Sequence, residues 1–399
     1  MSDRPAADRG PAPQPGYGLR VAVTNPFVWP HVRRGSERLL HDLTRDLQGR
    51  GHQVQAFAMA PQDRQEDRGG VAYHLLRERW RSPLRQLNSC HGFAFRLAAP
   101  LARAQPDAVF CLNYFDAFAA VRARHRGGRP FRIVFMAVGI PTRAYFRAVP
   151  LDAWFMATVL READQVLVLS RFARERLRHD FGRDAQVLPP PVAVEEFAPG
   201  QGFAPSLGGI PKPRILFVGD AAEPRKGAQV LCRAFLRLKT SHPTASLVFS
   251  GHTPESRQQE LVGHAAYDGV RRDIHFLGVG KVTGLPALYA AASVTVLPAV
   301  WEAFGLVLVE SLAAGTPVVG ARHGGIPDII DDRVGRMFEP GEFAGQTDNV
   351  EGLAAALGDV LAQGKGEALR RACRERASAF SWEALGPAYE RTLHPEAGA

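Results

Sequence analysis

Two glutamates, Glu302 and Glu310, bracket a turn between a predicted strand and a predicted helix. The strand covers residues 293–297, Pro298 makes the turn, and the helix begins at Gly305. The first N–H groups of a helix have no acceptor inside the helix, so such a turn presents hydrogen-bond donors to an anion. The turn therefore predicts a binding site for a phosphate or diphosphate.

The backbone donors of this turn would come from Phe304, Gly305 and Leu306, and a glycine lets a ligand approach the main chain closely. Glu310 lies five residues into the helix, where its carboxylate is suited to accept hydrogen bonds from the vicinal hydroxyls of a ribose. Glu302, in the loop, would face whatever group the phosphates carry. The plainer interpretation makes Glu310 a charge on the helix surface and Glu302 a carboxylate that complements the helix dipole.

Lys226 stands in the sequence EPRKG, directly before an amphipathic helix. A mobile ammonium group beside a helix N-terminus would neutralise the negative charge that develops on a leaving nucleotide. Arg225 places a second cation next to it. The alternative is an ordinary exposed loop lysine, although the chain has only five lysines.

These residues must be positioned by two series of short apolar strands that alternate with amphipathic helices, the pattern of a parallel α/β sheet. The strands predicted in the first series are 19–24, 53–58, 108–112, 132–138 and 165–169, and a helix follows Gly35. Those predicted in the second series are 214–218, 245–250, 273–277, 293–297 and 317–320. Ligands of doubly wound sheets bind at the carboxyl ends of the strands, so we expect a ligand in the cleft between two such domains.

A Pro/Gly-rich stretch separates the two series and marks a domain boundary. The predicted segments are a disordered N-terminal tail (1–18), an N-terminal Rossmann-like acceptor-side domain (19–198), a linker (199–213), a C-terminal Rossmann-like donor-binding domain (214–380), and a C-terminal helix that crosses back toward the N-terminal domain (381–399).

The stretch from Glu302 to Glu310 resembles the E-x7-E motif of family 4 glycosyltransferases. Other stretches are similar to that family's segments and follow its order over residues 19–395: PFVWPHVRRGSERLLHDLTRDLQGRGHQV, VLVLSRFARERL, VLPPPVAVEEFAPG, RKGAQVLCRAF, IHFLG and HGGIPDII. The resemblance implies the α/β GT-B architecture, in which two doubly wound Rossmann-like domains face each other across a cleft and C-terminal helices pack back across the hinge. It also implies a retaining hexosyltransferase that moves a sugar from a nucleotide-sugar donor, of UDP or GDP type, to a glycan, lipid-linked or other envelope acceptor.

Carried over by position, the resemblance implies that Glu310 binds the ribose, Glu302 the transferred sugar and Lys226 the donor diphosphate, with Glu302 and Lys226 as the catalytic residues. The predicted donor site consists of Gly35, Arg225, Lys226, Glu302, Ala303, Phe304, Gly305, Leu306 and Glu310. For the acceptor we predict Arg34, Asn113 and Asp116, with helix capping as the alternative role of the last two.

Two positions depart from the family. Asp220 stands where the family usually has an arginine that grips the diphosphate, and Val138 where many members have a histidine near the anomeric centre. Either Arg225 substitutes for the missing arginine, with Asp220 orienting it, or donor binding is weak. The histidine is not obligatory, because the leaving phosphate can accept the acceptor's proton. These departures leave open a catalytically silent GT-B subunit that binds a nucleotide sugar or regulates an active enzyme; a phosphorylase or hydrolase on the same fold is a third option.

The sequence contains no Asp-x-Asp triplet. We therefore predict no metal and no cofactor, with Lys226, Arg225 and the helix dipole supplying positive charge. The four cysteines are widely spaced and read as free buried thiols of a reducing compartment: Cys90, Cys111, Cys232 and Cys373.

The net charge of +9 is unevenly distributed. Residues 1–199 carry 29 arginines and no lysine against 19 acidic residues, a net charge of +10, whereas residues 200–399 carry 20 basic and 21 acidic side chains. This asymmetry indicates either an anionic partner, such as a lipid surface or a phosphorylated acceptor, or only the arginine usage of the genome. Two clusters, residues 77–85 around Trp80 and residues 143–147 with Tyr145 and Phe146, interleave arginines with apolar residues. They indicate either a grip on an anionic lipid head group or phosphorylated glycan, or a solvated basic face, and no nucleic-acid-binding module appears. With no membrane-spanning run and no signal peptide, we expect a cytoplasmic protein, with peripheral contact at the inner face of the cell membrane as a further option.

Overall fold

The computed structural model describes residues 18–29, 35–78, 88–126, 130–198, 207–278, 284–341 and 348–394. The chain divides into two compact units. The first runs to Val168, includes Arg174–Leu188 and ends with the chain from Gly386 onward; the second consists of Leu169–Ala173 and Pro189–Leu385. Residues 1–17 of the predicted tail and 199–206 of the predicted linker lie outside the described residues.

In the described part of the first unit, eight strands form one sheet in the order β3-β4-β2-β1-β5-β6-β7-β8. The strands are β1 (Arg20–Thr24), β2 (Gln53–Ala60), β3 (Arg64–Arg68), β4 (Val71–Arg77), β5 (Ala108–Cys111), β6 (Arg132–Ala137), β7 (Gln165–Val168) and β8 (Gln186–Val187). Only β3 runs antiparallel to its neighbour in this sheet. The helices along this part of the chain are α1 (Gly35–Gly49), α2 (Ser89–Arg96), α3 (Ala98–Ala104), α4 (Tyr114–His125), α5 (Arg143–Ala148), α6 (Pro150–Glu162) and α7 (Arg171–Phe181).

The second unit contains a six-stranded parallel sheet in the order β11-β10-β9-β12-β13-β14. Its strands are β9 (Arg214–Val218), β10 (Ser246–Ser250), β11 (Ile274–Phe276), β12 (Val294–Leu297), β13 (Val318–Ala321) and β14 (Gly335–Phe338). The helices from here to the end of the described chain are α8 (Ala228–Leu238), α9 (Glu255–Val262), α10 (Leu285–Ala291), α11 (Leu306–Ala313), α12 (Val350–Gln363), α13 (Glu367–Ser378) and α14 (Trp382–Leu393).

The strand order of the second sheet is the 3-2-1-4-5-6 order of a doubly wound nucleotide-binding fold. The chain winds outward from β9 in one direction and from β12 in the other, so these two strands are neighbours with their following loops side by side. The central strands are buried throughout and mostly apolar, as β10 and β12 show, because helices cover both faces of a parallel sheet. The prediction of two Rossmann-like α/β domains with parallel sheets is confirmed.

The predicted strands all form, with ends shifted by one or two residues. Four further strands, β3, β4, β8 and β14, were not predicted from the sequence. β3 is an edge strand of five polar residues, and it has no alternation of apolar and polar residues for a pattern to detect. β8 has only two residues, and β14 contains two half-buried positions in a run of four. β3, β8 and β14 exist because a neighbouring strand offers hydrogen bonds, which the local sequence does not encode, whereas β4 alternates buried and half-buried positions in the way a strand pattern predicts.

The C-terminal part of α14, from Gly386 onward, belongs to the first unit. Tyr389 is fully buried there, with its ring 5.8 Å from that of Phe110. The carboxylate of Glu390 pairs with Arg50 at 3.3 Å and with His52 at 3.2 Å. Helix α14 thus supplies both apolar and charged contacts to the sheet of the first unit.

All four cysteines are buried and unpaired, as predicted. Burial raises the pKa of the Cys90 thiol to about 12, so this thiol stays protonated and unreactive at neutral pH. Across the described ranges, no helix has both the length and the apolar character needed to cross a membrane.

Candidate functional site

The loops that follow β9 and β12 lie together at the switch point of the second sheet. The first loop, residues 219–227, contains Lys226, and the second, residues 298–305, contains Glu302. Although these two residues are 76 positions apart, the Nζ of Lys226 donates to Oε2 of Glu302 at 2.5 Å. Their side chains are 19% and 14% exposed, so the pair is largely shielded but open to solvent on one side.

Arg225 is held beside this ion pair. Its guanidinium donates to Glu223 at 2.6 Å and lies 3.6 Å from the same carboxylate oxygen of Glu302. It also donates to the carbonyl oxygen of Trp301 at 3.3 Å, and its own carbonyl accepts the N–H of Val300 at 2.9 Å. Two cations therefore converge on one carboxylate, and main-chain hydrogen bonds hold the two loops in register.

Glycines allow the loops around Glu302 to pack at backbone distance. A Cβ at Gly227, which has a φ of +74°, would lie 2.2 Å from the carbonyl oxygen of Pro298. A Cβ at Gly324 would lie 2.3 Å from the carbonyl oxygen of Glu302. The N–H of Gly325 donates to that same oxygen at 2.8 Å. The 298–305 loop is thus clamped between the loop after β9 and the loop after β13, and side chains at these glycines would force the loops apart.

Trp301 has a left-handed backbone conformation, with a φ of +56°. This conformation is strained for a bulky residue, and such strain often occurs at functional sites. Nδ1 of His323 accepts the N–H of Trp301 at 3.0 Å, and the ring of Phe172 packs against both side chains. Burial lowers the pKa of His323, which favours the neutral ring that can accept this hydrogen bond.

The sequence patterns do not single out Trp301, His323 or Phe172 as residues of this region. His323 begins the stretch HGGIPDII, whose two glycines favour a turn soon after the predicted strand 317–320, and this position was the only available signal. Phe172 offered none, because it lies far from the other two in the sequence and reads as an ordinary helix residue.

The helix α11 begins directly after Gly305, which has a φ of +109° and is buried. Its first internal hydrogen bond runs from the N–H of Leu308 to the carbonyl of Gly305 at 2.9 Å. Phe304 is only 2% exposed, with its ring 5.5 Å from that of Phe380, and this packing anchors the start of the helix. The N–H groups of residues 305–307 precede that first internal bond, at the positive end of the helix dipole.

Glu310 is half-buried on α11, and its Oε2 accepts the hydroxyl of Tyr289 at 2.7 Å. Tyr289 is completely buried, and burial together with the Glu310 charge raises its pKa well above the ordinary value. The tyrosine is therefore a hydrogen-bond donor at neutral pH, and it orients the Glu310 carboxylate. Ala303 lies between Glu302 and Phe304, where its carbonyl packs against Gly325.

Asp220 is exposed after β9, and its Oδ1 accepts the N–H of Ala222 at 2.9 Å. The expectation that Asp220 orients Arg225 is wrong, because Arg225 pairs with Glu223 and Glu302 instead. The aspartate side chain closes a local turn, a common role of this residue type. Glu223, the nearer of the two carboxylates that contact Arg225, is only two positions away in the sequence, and this short separation favours the pair.

The two halves of the chain match two family models. Residues 33–196 match the model described as Glycosyltransferase Family 4, and residues 212–363 match the model described as Glycosyl transferases group 1. The chain belongs to the family 4 glycosyltransferases. The family prediction made from the E-x7-E stretch is therefore confirmed.

Curated relatives of this family 4 chain include two bacterial D-inositol 3-phosphate glycosyltransferases. The protein of Saccharomonospora viridis is 33% identical over 237 residues, which are 56% of this chain and 54% of that protein. The protein of Mycobacterium marinum is 31% identical over 251 residues, 59% of this chain and 52% of that protein. The chain thus spans about half the length of the curated relatives it matches.

Solved structures with the same fold cover nearly the whole family 4 chain. Sucrose-phosphate synthase from Thermosynechococcus elongatus matches with a TM-score of 0.77 and 21% identity, over 94% of this chain and 98% of that one. Trehalose-phosphate synthase from Burkholderia xenovorans, in complex with glucose-6-phosphate, matches with a TM-score of 0.74 and 16% identity, over 94% and 100%. Anabaena Alr3699/HepE in complex with UDP and glucose gives a TM-score of 0.70 and 17% identity, over 94% and 99%. At these identities the likeness establishes the shared fold.

The predicted site residues of the first unit occupy different environments. Gly35 is exposed at the start of α1, and Arg34 lies outside the described residues. Asn113 is the N-cap of α4, with its side chain accepting the N–H of Phe115 at 3.3 Å, so the capping alternative holds for this residue.

Asp116 is completely buried, and its Oδ2 accepts the hydroxyl of Thr24 at 2.6 Å and the N–H of Leu112 at 3.0 Å. Its inaccessible carboxylate gives no support to the acceptor role that we predicted. Burial raises the pKa of Asp116 to about 8. Asp116 instead ties the carboxyl ends of β1 and β5 together.

Within the described residues, no three His, Cys, Asp or Glu side chains come together as a metal site. The charged groups that meet at the switch point are instead Lys226, Arg225 and Glu302. Of the predicted residues, the structure therefore brings together those of the 219–227 and 298–305 loops and the adjoining first turns of α11.

Proposed function

We propose that this chain is a retaining glycosyltransferase that moves a hexosyl group from a UDP- or GDP-linked donor to a glycan, lipid-linked or other envelope acceptor, without a metal ion. The observation that carries this proposal is the Lys226–Glu302 pair at the switch point of a nucleotide-binding sheet. This is the position at which doubly wound sheets bind their ligands. Family membership and the shared fold support the same reaction class.

In this proposal the donor diphosphate lies over the start of α11. The N–H groups of Phe304, Gly305 and Leu306 would donate to its oxygens, as helix N-termini do to anions. Lys226 and Arg225 add two full positive charges on the other side of the same loop. Glu310, already oriented by Tyr289, would accept hydrogen bonds from the ribose hydroxyls.

Glu302 has two partners in turn during the proposed cycle. Without donor, its carboxylate neutralises Lys226. When the diphosphate attracts Lys226, the carboxylate loses that partner and can accept hydrogen bonds from the hydroxyls of the donor hexose. The clamp formed by Gly325 and His323 keeps the Glu302 backbone in place during this exchange.

Transfer itself then requires mainly charge stabilisation and alignment. As the bond between the sugar and the phosphate breaks, negative charge grows on the leaving diphosphate, next to Lys226 and the helix dipole. The leaving phosphate oxygen takes the proton from the acceptor hydroxyl, on the same face of the sugar, so the anomeric configuration is retained. The cationic side chains provide the charge stabilisation for which other transferases use a metal ion.

The direct test is incubation of the chain with radiolabelled UDP- and GDP-hexoses and a membrane lipid extract. The names of the curated relatives add inositol 3-phosphate as a second acceptor to test. We expect the parent chain to transfer sugar and the variants Lys226→Met and Glu302→Gln to have lost this activity. The control variant Glu351→Gln, which removes an exposed ion pair with Arg237, should keep it. Proton NMR of the product reports whether the configuration is retained. No transfer and no donor hydrolysis with any common donor would overturn the proposal.

A second candidate is a catalytically silent subunit that binds a nucleotide sugar and regulates a partner enzyme. Asp220 favours it, because an exposed carboxylate at this position repels the phosphate that an arginine would bind. Calorimetric titration with UDP and GDP separates the two candidates when it is read with the transfer assay. Binding without turnover supports the silent subunit, and binding with turnover excludes it.

The proposed acceptors place the enzyme at the inner face of the cell membrane, in peripheral contact through its basic N-terminal half. The charge of the chain supports this location, because residues 1–199 carry a net charge of +10 and the cytoplasmic leaflet of cell membranes is anionic.

A further inference from the structure

Three large hydrophobic side chains are prominently exposed in the described part of the chain, and all three belong to the same group of helices in the first unit. They are Phe95 on α2 (40% exposed), Tyr145 on α5 (53%) and Trp154 on α6 (54%). An exposed cluster of large aromatic side chains commonly marks an interaction surface.

These side chains are linked through helix α4, on which Tyr114, Phe118 and Arg122 follow each other at intervals of four residues. The ring of Phe118 lies 4.9 Å from that of Trp154 and 6.2 Å from that of Phe95. At the other end of the row, the hydroxyl of Tyr114 lies 3.5 Å from that of Tyr145. A spacing of four residues keeps side chains on one side of a helix. The three exposed aromatics therefore lie along one continuous strip, which we call the aromatic strip.

The charge beside the aromatic strip is positive. The guanidinium of Arg122 lies over the ring of Phe95, 4.8 Å from its centroid. Burial and the neighbouring Arg126 lower the pKa of Arg122, so two cations are close together here. Within the described residues, neither arginine has a carboxylate partner. Arg147, two positions after Tyr145, is exposed and also lacks one.

The acidic side chains near the strip have polar or cationic partners, among them Glu78, which accepts the hydroxyl of Ser89 at the start of α2. Asp152 is buried below Tyr145 and bonds His91 at 2.7 Å and Tyr114 at 2.6 Å. Asp63 pairs with Arg96 at 3.0 Å. Glu162, at the far end of α6, is surrounded by Arg124, Arg161 and His125. The strip therefore combines exposed aromatic rings with three arginines, Arg122, Arg126 and Arg147, that have no carboxylate partner among the described residues.

We infer that the aromatic strip docks the first unit onto an anionic lipid bilayer, with Phe95, Trp154 and Tyr145 entering the headgroup region and Arg122, Arg126 and Arg147 contacting lipid phosphates. Aromatic rings with one polar edge favour the membrane interface, and arginines there gain electrostatic attraction to anionic lipids. A symmetric contact between two copies of the chain fits poorly, because it would bring the same unpaired arginines face to face. This inference deepens the proposed function, on which it rests for the presence of an acceptor in the membrane.

The test is co-sedimentation of the full chain with vesicles of pure phosphatidylcholine or of phosphatidylcholine mixed with phosphatidylglycerol. We expect binding to the anionic vesicles only, and weaker binding as salt is added. Arg126→Glu should reduce partitioning more than fivefold, since one basic residue near an anionic surface changes the partition constant by about fivefold and a reversal adds repulsion. Arg272→Glu is the matched control, because Arg272 is also an exposed arginine but lies in the second unit; it should leave partitioning nearly unchanged.

Trp154→Ser tests the aromatic part of the inference, and Trp154→Phe is its conservative counterpart. We expect the serine variant to lose most of its partitioning and the phenylalanine variant to retain it. Quenching of tryptophan fluorescence by brominated lipids, present in the parent and reduced in Trp154→Phe, would locate Trp154 in the bilayer.

Several results would overturn the inference: no binding to anionic vesicles, equal losses in Arg126→Glu and Arg272→Glu, or unchanged partitioning of Trp154→Ser. A dimer in sedimentation velocity that Trp154→Ser dissociates would also overturn it, in favour of a contact between copies. Donor titration without lipid keeps the two proposals separate. A chain that binds vesicles but no nucleotide refutes the proposed function alone, and a chain that binds nucleotide but no vesicles refutes the docking surface alone.

Discussion

Replacement of Glu302 by glutamine should strengthen the binding of a nucleoside diphosphate while it abolishes sugar transfer. In the structure, the Glu302 carboxylate lies 2.5 Å from the Nζ of Lys226 and 3.6 Å from the guanidinium of Arg225. In the proposed donor site, a diphosphate must attract these same two cations. UDP or GDP alone brings no hexose that could compensate Glu302 for the loss of its partners.

The expected gain follows from the charges that remain after binding. A phosphate that reaches Lys226 from its other side would lie about 5 Å from the Glu302 carboxylate, and at an effective dielectric constant of about 20 two like charges at that distance repel by about 3 kcal/mol. The site is open on one side, since the Glu302 side chain is 14% exposed, so solvent screening reduces this repulsion. We therefore expect UDP to bind Glu302→Gln more tightly by about 1–2 kcal/mol, roughly 5- to 30-fold.

Isothermal titration calorimetry with UDP and GDP at low and physiological ionic strength measures this change. The matched control is Glu351→Gln, which removes a carboxylate paired with Arg237 at the opposite end of α8 from Lys226. Its affinity should equal that of the parent chain. Unchanged or weaker binding of UDP by Glu302→Gln would refute the competition between carboxylate and diphosphate, and with it the proposed position of the phosphates.

Three further predictions concern the site and the two sheets. Asp220→Arg should tighten donor binding by about 1–3 kcal/mol, the value of a hydrogen bond to a charged group. Calorimetric titration measures this change, and the control variant Asp332→Arg should bind the donor like the parent chain. Unchanged affinity of Asp220→Arg would mean that residue 220 does not face the phosphate. Gly325→Ala should lower the free energy of unfolding by about 1–3 kcal/mol and weaken donor binding, because its Cβ would lie 2.5 Å from the carbonyl oxygen of Ala303. Gly269→Ala, with nothing within 4 Å of its Cβ, is the control in urea unfolding, and equal stability of the two variants would contradict the clamp. Burial raises the pKa of Asp116 to about 8 in the folded chain. Between the ordinary pKa of this carboxyl in the unfolded chain and pH 8, the folded chain therefore binds more protons than the unfolded one. The free energy of unfolding should accordingly fall as the pH rises through this range. Urea unfolding across this window should show the slope in the parent chain and its loss in Asp116→Asn, and an equal slope in both would show that Asp116 titrates normally.

Much of the fold could be predicted because parallel strands covered on both faces are continuously apolar. The strands of the second sheet, such as β9 and β12, are therefore recognisable from local sequence. The hairpin of β3 with β4 was missed for the opposite reason. β3 is a polar edge strand, and its conformation depends on hydrogen bonds offered by a neighbouring strand.

The residues of the candidate site also fall into two groups, those recognisable from local sequence and those that only the tertiary structure identifies. Glu302, Gly305 and Glu310 were recognisable because a strand, a turn and a helix follow each other within one short stretch. The structural role of Asp116 could not be recognised from the sequence, because the burial of its side chain results from β1 and β5 lying side by side. The hydrogen bond from Trp301 to His323 likewise joins two loops that are adjacent only because β12 and β13 pair.

The sequence by itself determined that this chain forms two Rossmann-like domains and that a glycine-containing turn leads from a strand into α11, because periodicity and turn residues act locally. It also identified Lys226 and Glu302 as separate candidates. Only the tertiary structure decided that these two residues form one ion pair, that Arg225 turns to Glu223 and Glu302 rather than to Asp220, and that His323 holds the strained backbone of Trp301. The physical reason is the strand order, which makes β9 and β12 neighbours and so brings loops 76 residues apart to within hydrogen-bonding distance.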